Sequence, residues 1–306
     1  MKKLAFIQRQ DRSHWVGDGF PVRSVFSYHE RSAELSPFLL LDYAGPAEFS
    51  PSERRRGVGE HPHRGFETVT IVYDGEVAHR DSSGGGGTIG PGDVQWMTAG
   101  AGVVHEEFHS PAFSRRGGRF EVIQLWVNLP ARHKMNAPGY QSIAAADIPR
   151  LDAAGASVRV IAGEYGGRRG PAHTFTPINL WDVRLKAGAR AEFAVPEGHT
   201  TAVFVRQGTV ELNGGERAGE AEIAGLERHG ERFSVAAERE TALLILSGEP
   251  IDEPVVGYGP FVMNSEREIE QAIADYRSGC MGSLRAAERE ARKDEQGSEK
   301  RPGSVV

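Results

Sequence analysis

The chain contains one cysteine, Cys280, so it cannot form an internal disulfide, which fits a reducing compartment. No apolar stretch approaches the length that crosses a bilayer, and the N-terminal run LAFI is too short for a signal peptide. We therefore expect a cytoplasmic protein that does not bind membranes. The net charge is −6, which gives no basic excess for nucleic acid, and direct nucleic-acid binding is not expected.

Helical periodicity is also scarce, whereas short β-branched runs are frequent. They are separated by glycine, proline and aspartate turns, the pattern of an all-β sandwich or barrel. Residues 68–73 and 94–98 are predicted strands, and residues 120–129 are apolar on both faces, as in a central covered strand. Asp74 and Gly75 predict a hairpin turn, with residues 76–81 as the partner strand.

A second β-rich region follows a connector at residues 131–146. A length of 306 residues suggests two domains. Strands in the second region are predicted at residues 157–161, 179–186, 191–195, 201–206, 209–213, 232–236 and 241–247.

The end of the chain predicts one helix and a charged tail. Ser265 and Glu268 form a capping box, and the helix ends at Gly279. Of the 23 residues from Leu284 onward, 11 are charged, so this tail cannot bury a core and is expected to be disordered.

Two short motifs suggest a metal site. His61 and His63 form a His-x-His pair, and His105 and Glu107 form a His-x-Glu pair that follows His63 by 42 positions. Alternate residues of a strand point to the same face. Two such strands facing each other inside a barrel would bring three imidazoles and one carboxylate to one point.

This ligand set suits iron, manganese, nickel, copper or zinc, and it leaves coordination positions open for a substrate or dioxygen. Surface histidines and a purely structural metal are the competing interpretations. Structural zinc sites prefer cysteine, and none lies nearby.

Neighbouring polar residues are assigned by strand alternation. Glu67 would point to the same side as His61 and His63 if the strand were continuous; it could be a fifth ligand or an unrelated barrel residue, but an acceptor for a ligand histidine is favoured. Glu106 alternates away from Glu107 and is expected to face outward. His79 lies on the predicted hairpin partner at residues 76–81, where its side chain is expected to face solvent. His109 is left out of the site because the strand could already have ended.

The second β-rich region contains one short segment that is similar in sequence to the first. Aligning Gly75 with Gly208, an offset of 133, places His61 on Ala194, His63 on Pro196 and Glu67 on Thr200. The second half therefore keeps the strand and turn without the ligands, and His199 stands alone.

The longer segments around these motifs resemble the pirin family of the cupin superfamily. The resemblance is carried by HPHRGFETVTIVYDGEVAHRDS, GPGDVQWMTAGAGVVHEE and QLWVNLP, with LSPFLLLDYAGP upstream and GPFVMNSEREIEQAIADYRSG downstream. It implies a bicupin, that is, two antiparallel, jelly-roll-like β-barrels with a short C-terminal helix. The expected domains are a metal-binding barrel at 1–135, a barrel without ligands plus the helix at 136–283, and the tail at 284–306.

The resemblance also implies a cofactor and an activity. In pirins the ligands correspond to His61, His63, His105 and Glu107, and the ion is typically iron, here Fe(II). Several pirins resemble quercetin 2,3-dioxygenase, which opens a flavonol ring with O2 and releases CO. Glu107 is the candidate catalytic base, because it alone among the ligands can accept a proton. The alternative is a redox-sensitive regulator whose iron site modulates binding to a transcription factor or metabolic enzyme.

Overall fold

A computed structural model describes residues 1–285, and apart from Leu284 and Arg285 the predicted disordered tail at 284–306 lies outside the described residues. The first half of the chain forms twelve strands. They are β1 (Leu4–Arg9), β2 (His14–Val16), β3 (Phe20–Ser27), β4 (Phe38–Phe49), β5 (Gly57–His63), β6 (Phe66–Asp74), β7 (Val77–Asp81), β8 (Gly86–Ile89), β9 (Val94–Thr98), β10 (Val103–His109), β11 (Gly118–Asn128) and β12 (Gly139–Ile143).

The described part of the second half is equally rich in strands. They are β13 (Arg150–Ala153), β14 (Ala156–Ala162), β15 (Glu164–Tyr165), β16 (Arg168–Arg169), β17 (Ile178–Leu185), β18 (Arg190–Ala194), β19 (Thr200–Gln207), β20 (Thr209–Leu212), β21 (Arg217–Gly219), β22 (Glu222–Leu226), β23 (Arg232–Ala237), β24 (Thr241–Gly248), β25 (Val256–Tyr258) and β26 (Phe261–Met263). Each strand predicted in this half is present, and the all-β prediction is confirmed.

Each half folds into a barrel made of one large and one small sheet. In the first barrel the large sheet has the order β12-β9-β6-β11-β4-β3-β2 and the small sheet β5-β10-β7-β8. In the second barrel the large sheet has the order β1-β22-β19-β24-β17-β14-β13 and the small sheet β18-β23-β20-β21. The two-barrel, cupin-like fold expected from the sequence is confirmed.

The first strand of the chain belongs to the sheet of the second barrel, and β12 belongs to the first barrel. β1, from the start of the chain, pairs with β22 of the second barrel. β12, which follows the predicted boundary at 135/136, pairs with β9 of the first. The domain boundaries themselves stay a prediction.

In the described part of the chain, helices are few and short. They are α1 (Tyr28–Leu35), α2 (Pro111–Arg116) and α3 (Glu266–Arg277), with 3-10 turns at Ala131–His133 and Ala145–Asp147. The predicted capping box is present, since the Ser265 side chain accepts a hydrogen bond from the Glu268 amide. Buried Ile269 and Ala272 of α3 pack with Val104 of β10, so the C-terminal helix supports that strand from outside the barrel. Within residues 1–285 no helix is long and apolar enough to cross a membrane.

The outer faces of the two large sheets share one apolar core. It includes Leu41, Val69 and Ile71 from the first barrel and Phe204 and Leu244 from the second. Strand alternation then directs the opposite faces of the same strands into the barrel interiors.

Charged groups are buried at the same interface. The Arg206 guanidinium of the second barrel donates to the Glu121 carboxylate of the first, at 2.6 Å between Nη1 and Oε1. Arg159 donates to Asp182 at 2.9 Å and also to the Gly92 carbonyl of the first barrel. Because an unpaired buried charge is costly, these pairs fix the relative position of the two sheets.

One strand prediction is wrong in a way that matters for the site. β7 pairs with β10 and β8 and not with β6, so residues 76–81 are not the hairpin partner of residues 68–73. Gly75, with φ of +86°, turns the chain from the large sheet into the small one. β7 therefore lies next to the strand that carries His105.

Candidate metal centre

Two neighbouring antiparallel strands carry the candidate histidines. β5 and β10 pair with His61 directly opposite His105 and with His63 opposite Val103. Residues opposite each other on paired strands share a face, so His61, His63 and His105 lie together. A register shift between His105 and Glu107 places an extra residue on β5 at the edge of this group.

The three imidazoles are close enough to hold one ion. Their candidate ligand nitrogens all lie within 4.8 Å of one another. The ring centroids of His61 and His105 are 4.2 Å apart, and those of His63 and His105 are 4.8 Å apart. His105 is fully buried and His63 is 4% exposed, whereas His61 is partly exposed, so the cluster opens to solvent on the His61 side.

Backbone carbonyls orient two of the rings. Nδ1 of His61 lies 2.8 Å from the Gly59 oxygen, and Nδ1 of His63 lies 3.4 Å from the Pro260 oxygen. A carbonyl only accepts, so Nδ1 must carry the proton in each ring and Nε2 keeps its lone pair. A second-shell acceptor of this kind is typical of metal-bound histidine.

The buried rings are held neutral, as metal ligands must be. Burial lowers the pKa of both His63 and His105 well below the usual value, and the neighbouring histidines lower it further. Nε2 of His105 is buried and has no hydrogen-bond partner among residues 1–285. A buried nitrogen without a partner is costly in an ordinary core and fits a ligand for an ion.

Glu107 lies beside this cluster. Its carboxylate groups with His79 and His105 in a second set of ligand atoms within 4.8 Å, and is not part of the first set. Oε1 accepts from Thr70 at 3.4 Å and Oε2 accepts from Gln124 at 3.4 Å. Both contacts are long, so the carboxylate is weakly held.

A small cavity of about 50 Å³ adjoins Glu107 inside the barrel, lined by Asp42, Thr70 and Gln124 together with apolar side chains. Ligand pockets for organic molecules are roughly 300–1,000 Å³. This cavity is therefore too small for a ligand of that size, whereas His61 is the member of the cluster that reaches solvent.

The prediction for His79 is wrong. Its side chain is fully buried, because β7 belongs to the small sheet and turns it toward His105. The two Nδ1 atoms lie 3.3 Å apart, and Nε2 of His79 lies 3.2 Å from Asp81 Oδ2. The prediction rested on a hairpin between residues 68–73 and 76–81, which does not form, because β7 pairs with β10 and β8.

The premise for Glu67 is also wrong. Gly65, with φ of +88°, separates β5 from β6, so Glu67 is not on a continuous strand with His61 and His63. It shares the face of β6 that carries Val69 and Ile71, which point into the core between the sheets. Burial raises the pKa of Glu67 to about 7, although a hydrogen bond from Thr98 acts against this.

Two further residues lie outside the cluster. Glu106 is mostly buried yet extends to the surface side of β10, where it accepts from Arg80 at 2.6 Å. β10 continues through His109, whose Nε2 donates to the Gly19 carbonyl at 2.9 Å. His109 packs among Phe49, Phe113 and Phe120 and not among the ligand candidates.

Comparison with known proteins identifies the family. The family model named Pirin matches residues 19–127 of the sequence. The family model of the Pirin C-terminal cupin domain matches residues 180–282. The Pseudomonas aeruginosa protein named "Putative quercetin 2,3-dioxygenase PA2418" is 58% identical over 91% of this chain and 98% of its own length. Human pirin is 38% identical over 90% of this chain and 92% of its own length.

A solved structure agrees with this assignment. The crystal structure of a quercetin 2,3-dioxygenase from Acinetobacter baumannii superimposes with a TM-score of 0.91 at 56% identity, covering 93% of this chain and 99% of that one. The histidine and glutamate cluster could hold a metal ion in a scaffold of the same shape. This chain belongs to the pirin family.

Proposed function

We propose that this protein is an Fe(II)-dependent dioxygenase that cleaves flavonols. The proposed ligands are His61, His63, His105 and Glu107. The observation that carries the proposal is the fully buried Nε2 of His105, which lacks a partner among the described residues and lies in a cluster of three imidazoles. Three imidazoles and a carboxylate suit ferrous iron, while Mn, Ni, Cu or Zn could also bind such a set.

The names of relatives support the substrate class. Quercetin 2,3-dioxygenase is the name of the Acinetobacter baumannii protein at 56% identity. We infer a flavonol-like aromatic substrate and O2, with opening of the ring and release of CO. When bound, the ion supplies Lewis-acid polarisation of the flavonol oxygen and orientation of the two reactants.

The protein residues supply a general base and shield one side of the site from water. Glu107 is the proposed acceptor for the proton of the 3-hydroxyl, and its weak contacts with Thr70 and Gln124 leave it able to change partners. Burial of His63 and His105 keeps water away from one side, while the partly exposed His61 marks the side of substrate entry.

The proposal is tested on protein loaded with iron under anaerobic conditions. Loss of flavonol absorbance is followed after adding quercetin and oxygen, for the wild type, Glu107→Gln and His61→Ala. We expect Glu107→Gln to keep part of its metal but to lose turnover by about 100-fold or more, the usual contribution of a general base. His61→Ala should lose both metal and turnover.

Glu106→Gln is the matched control, because it changes the adjacent carboxylate, which contacts Arg80 and not the cluster. It should retain turnover. Full turnover by Glu107→Gln at equal metal occupancy would overturn the base role. Stoichiometric iron without turnover of any flavonol in a panel would overturn the dioxygenase and favour the regulatory alternative with a protein partner.

A further inference from the structure

A buried carboxylate and a buried imidazole lie directly behind His105. Asp81 Oδ2 is 3.2 Å from Nε2 of His79, and Nδ1 of His79 is 3.3 Å from Nδ1 of His105. The side chains of His79 and Asp81 are 0% and 1% exposed. The three groups therefore form one continuous hydrogen-bonded row that ends at the candidate metal cluster.

The carboxylate is held in place by its own turn. Oδ1 of Asp81 accepts from the Ser83 amide at 2.8 Å, the Ser83 hydroxyl at 2.6 Å and the Gly85 amide at 3.0 Å. A Cβ at Gly85 would collide with the Asp81 carboxylate, so a larger residue there would displace that carboxylate. Three donors on one oxygen leave the other oxygen to accept from His79.

The row permits a single arrangement of protons on neutral rings. An ionised carboxylate only accepts, so Nε2 of His79 donates and Nδ1 of His79 has the lone pair. Nδ1 of His105 must then donate to Nδ1 of His79. The lone pair of His105 is thereby placed on Nε2, the atom that has no partner in the described structure.

We propose that His79 and Asp81 are positioning residues that fix the tautomer of His105, so that only its Nε2 is offered to the ion. This inference rests on the proposed metal centre and extends it by two residues. Carboxylate–histidine–metal arrangements orient ligands in this way, and here a second imidazole is inserted between the carboxylate and the ligand.

The same geometry argues against His79 as a ligand. Its ligand atoms lie near those of His105 and Glu107, so distance alone would allow a metal between them. However, Nε2 of His79 carries the proton that it donates to Asp81, and the lone pair on Nδ1 accepts from His105. Neither nitrogen is therefore free to bind an ion.

Tyr140 contributes packing to the row. Its ring stacks on His79 with centroids 5.2 Å apart and an interplanar angle of 17°. Its hydroxyl has no hydrogen-bond partner among the residues that the structure describes. Tyr140→Phe keeps the stacking surface and is therefore a matched control for changes in packing.

The first measurement needs no metal. Long-range 1H–15N NMR of the metal-free protein reports which ring nitrogen carries the proton. We expect His105 to be the Nδ1–H tautomer in the wild type and in Tyr140→Phe, and a mixture of tautomers in His79→Leu. An Nε2–H tautomer of His105 in the wild type would overturn the inference, whatever the catalytic activity proves to be.

The second measurement is metal affinity, with Fe(II) under anaerobic conditions or Co(II) as a spectroscopic probe. His79→Leu should weaken binding about 10–100-fold, the usual effect of removing such a group. His79→Asn, whose carbonyl oxygen can still accept from His105, should recover part of the loss. Unchanged affinity in folded His79→Leu would overturn the inference.

X-ray absorption at saturating metal separates positioning from ligation. The number of imidazole ligands should be the same in the wild type and His79→Leu. A loss of one imidazole would show that His79 is a ligand and would overturn the positioning role. If the tautomer, affinity and ligand-number results are as expected but quercetin is not cleaved, the proposed dioxygenase activity is wrong and the positioning role stands.

Discussion

The two barrels place different side chains at the same point of one scaffold. In the first, His61 on β5 faces His105 on β10. In the second, Phe193 on β18 faces Phe233 on β23, with ring centroids 5.4 Å apart. Phe193 and Phe233 are fully buried inside their barrel, among Trp181, Val195 and Val235.

This comparison corrects the alignment of the halves by one residue. The offset of 133 places His61 on Ala194, which is exposed and opposite the exposed Arg232. Because neighbouring strand residues face opposite sides, the interior counterpart of His61 is Phe193. The conclusion that the second barrel lacks the ligands is unchanged, since both groups of candidate ligands in residues 1–285 lie in the first barrel.

The difference shows how one architecture serves two purposes. The second barrel fills its interior with close-packed apolar groups, which stabilise the fold by burial. The first barrel gives up part of that stabilisation for buried imidazoles whose nitrogens must find partners. The following tests replace or remove interior side chains of the two barrels, beginning with the largest expected effect.

His105→Leu gives the first barrel an apolar residue where the second has Phe233. We expect bound metal to fall from about one ion per chain to nearly none, with loss of turnover, because a proposed central ligand is removed. Metal content after dialysis and quercetin consumption are the measurements. His109→Gln, which alters a buried histidine of the same strand outside the cluster, should keep its metal; stoichiometric metal in His105→Leu would refute the ligand role.

Phe193→Ala changes the second barrel instead. Removing this fully buried ring should lower the free energy of unfolding by about 3–5 kcal/mol through lost burial and a cavity. Denaturant unfolding of the metal-free protein measures this effect, and a metal titration of the folded variant should match the wild type. A tenfold loss of metal affinity in the folded variant would mean that the barrels are not functionally separate.

The third test uses pH. Burial lowers the pKa of His63 and His105 in the folded protein, whereas the unfolded chain takes up protons near the ordinary value of about 6.5. The associated stability is present above about pH 6.5 and is lost as the pH falls toward the lowered pKa of each ring. Each ring should contribute up to about 1.4 kcal/mol per pH unit in that window.

His105→Leu removes one of these two rings. The free energy of unfolding of the metal-free variant should therefore fall less steeply than that of the wild type between about pH 6 and pH 5, by about 1.4 kcal/mol per pH unit. Phe193→Ala should keep the steeper wild-type slope at a lower overall stability. Parallel slopes for the wild type and His105→Leu would show that His105 is not held neutral by the fold.

The sequence predicts the strands and the three clustered imidazoles well, because both follow from local alternation. The predicted covered strand at 120–129 is β11, at the centre of the large sheet. The two motif strands were expected to face each other across the barrel, whereas β5 and β10 are paired neighbours in one sheet. His79 could not be placed, since the Asp74–Gly75 turn is compatible with either a hairpin or a crossing between sheets. Glu67 was misplaced because Gly65 reverses which face the following residues occupy.

Long-range partners are hidden from the sequence for another reason. Glu121 and Arg206 are 85 positions apart, and each also looks like an ordinary surface charge. Their pairing depends on how two sheets pack, which no local pattern encodes. The same holds for Pro260, whose carbonyl orients His63 from almost 200 positions away.

The apolar core shared by the large sheets bears on what the second barrel contributes to the molecule. The large sheet of the second barrel buries Leu41, Val69 and Ile71 of the first barrel. Its strand β22 also pairs with β1, the first strand of the chain. The second barrel therefore stabilises the barrel that carries the candidate ligands, because its large sheet covers the apolar outer face of that barrel.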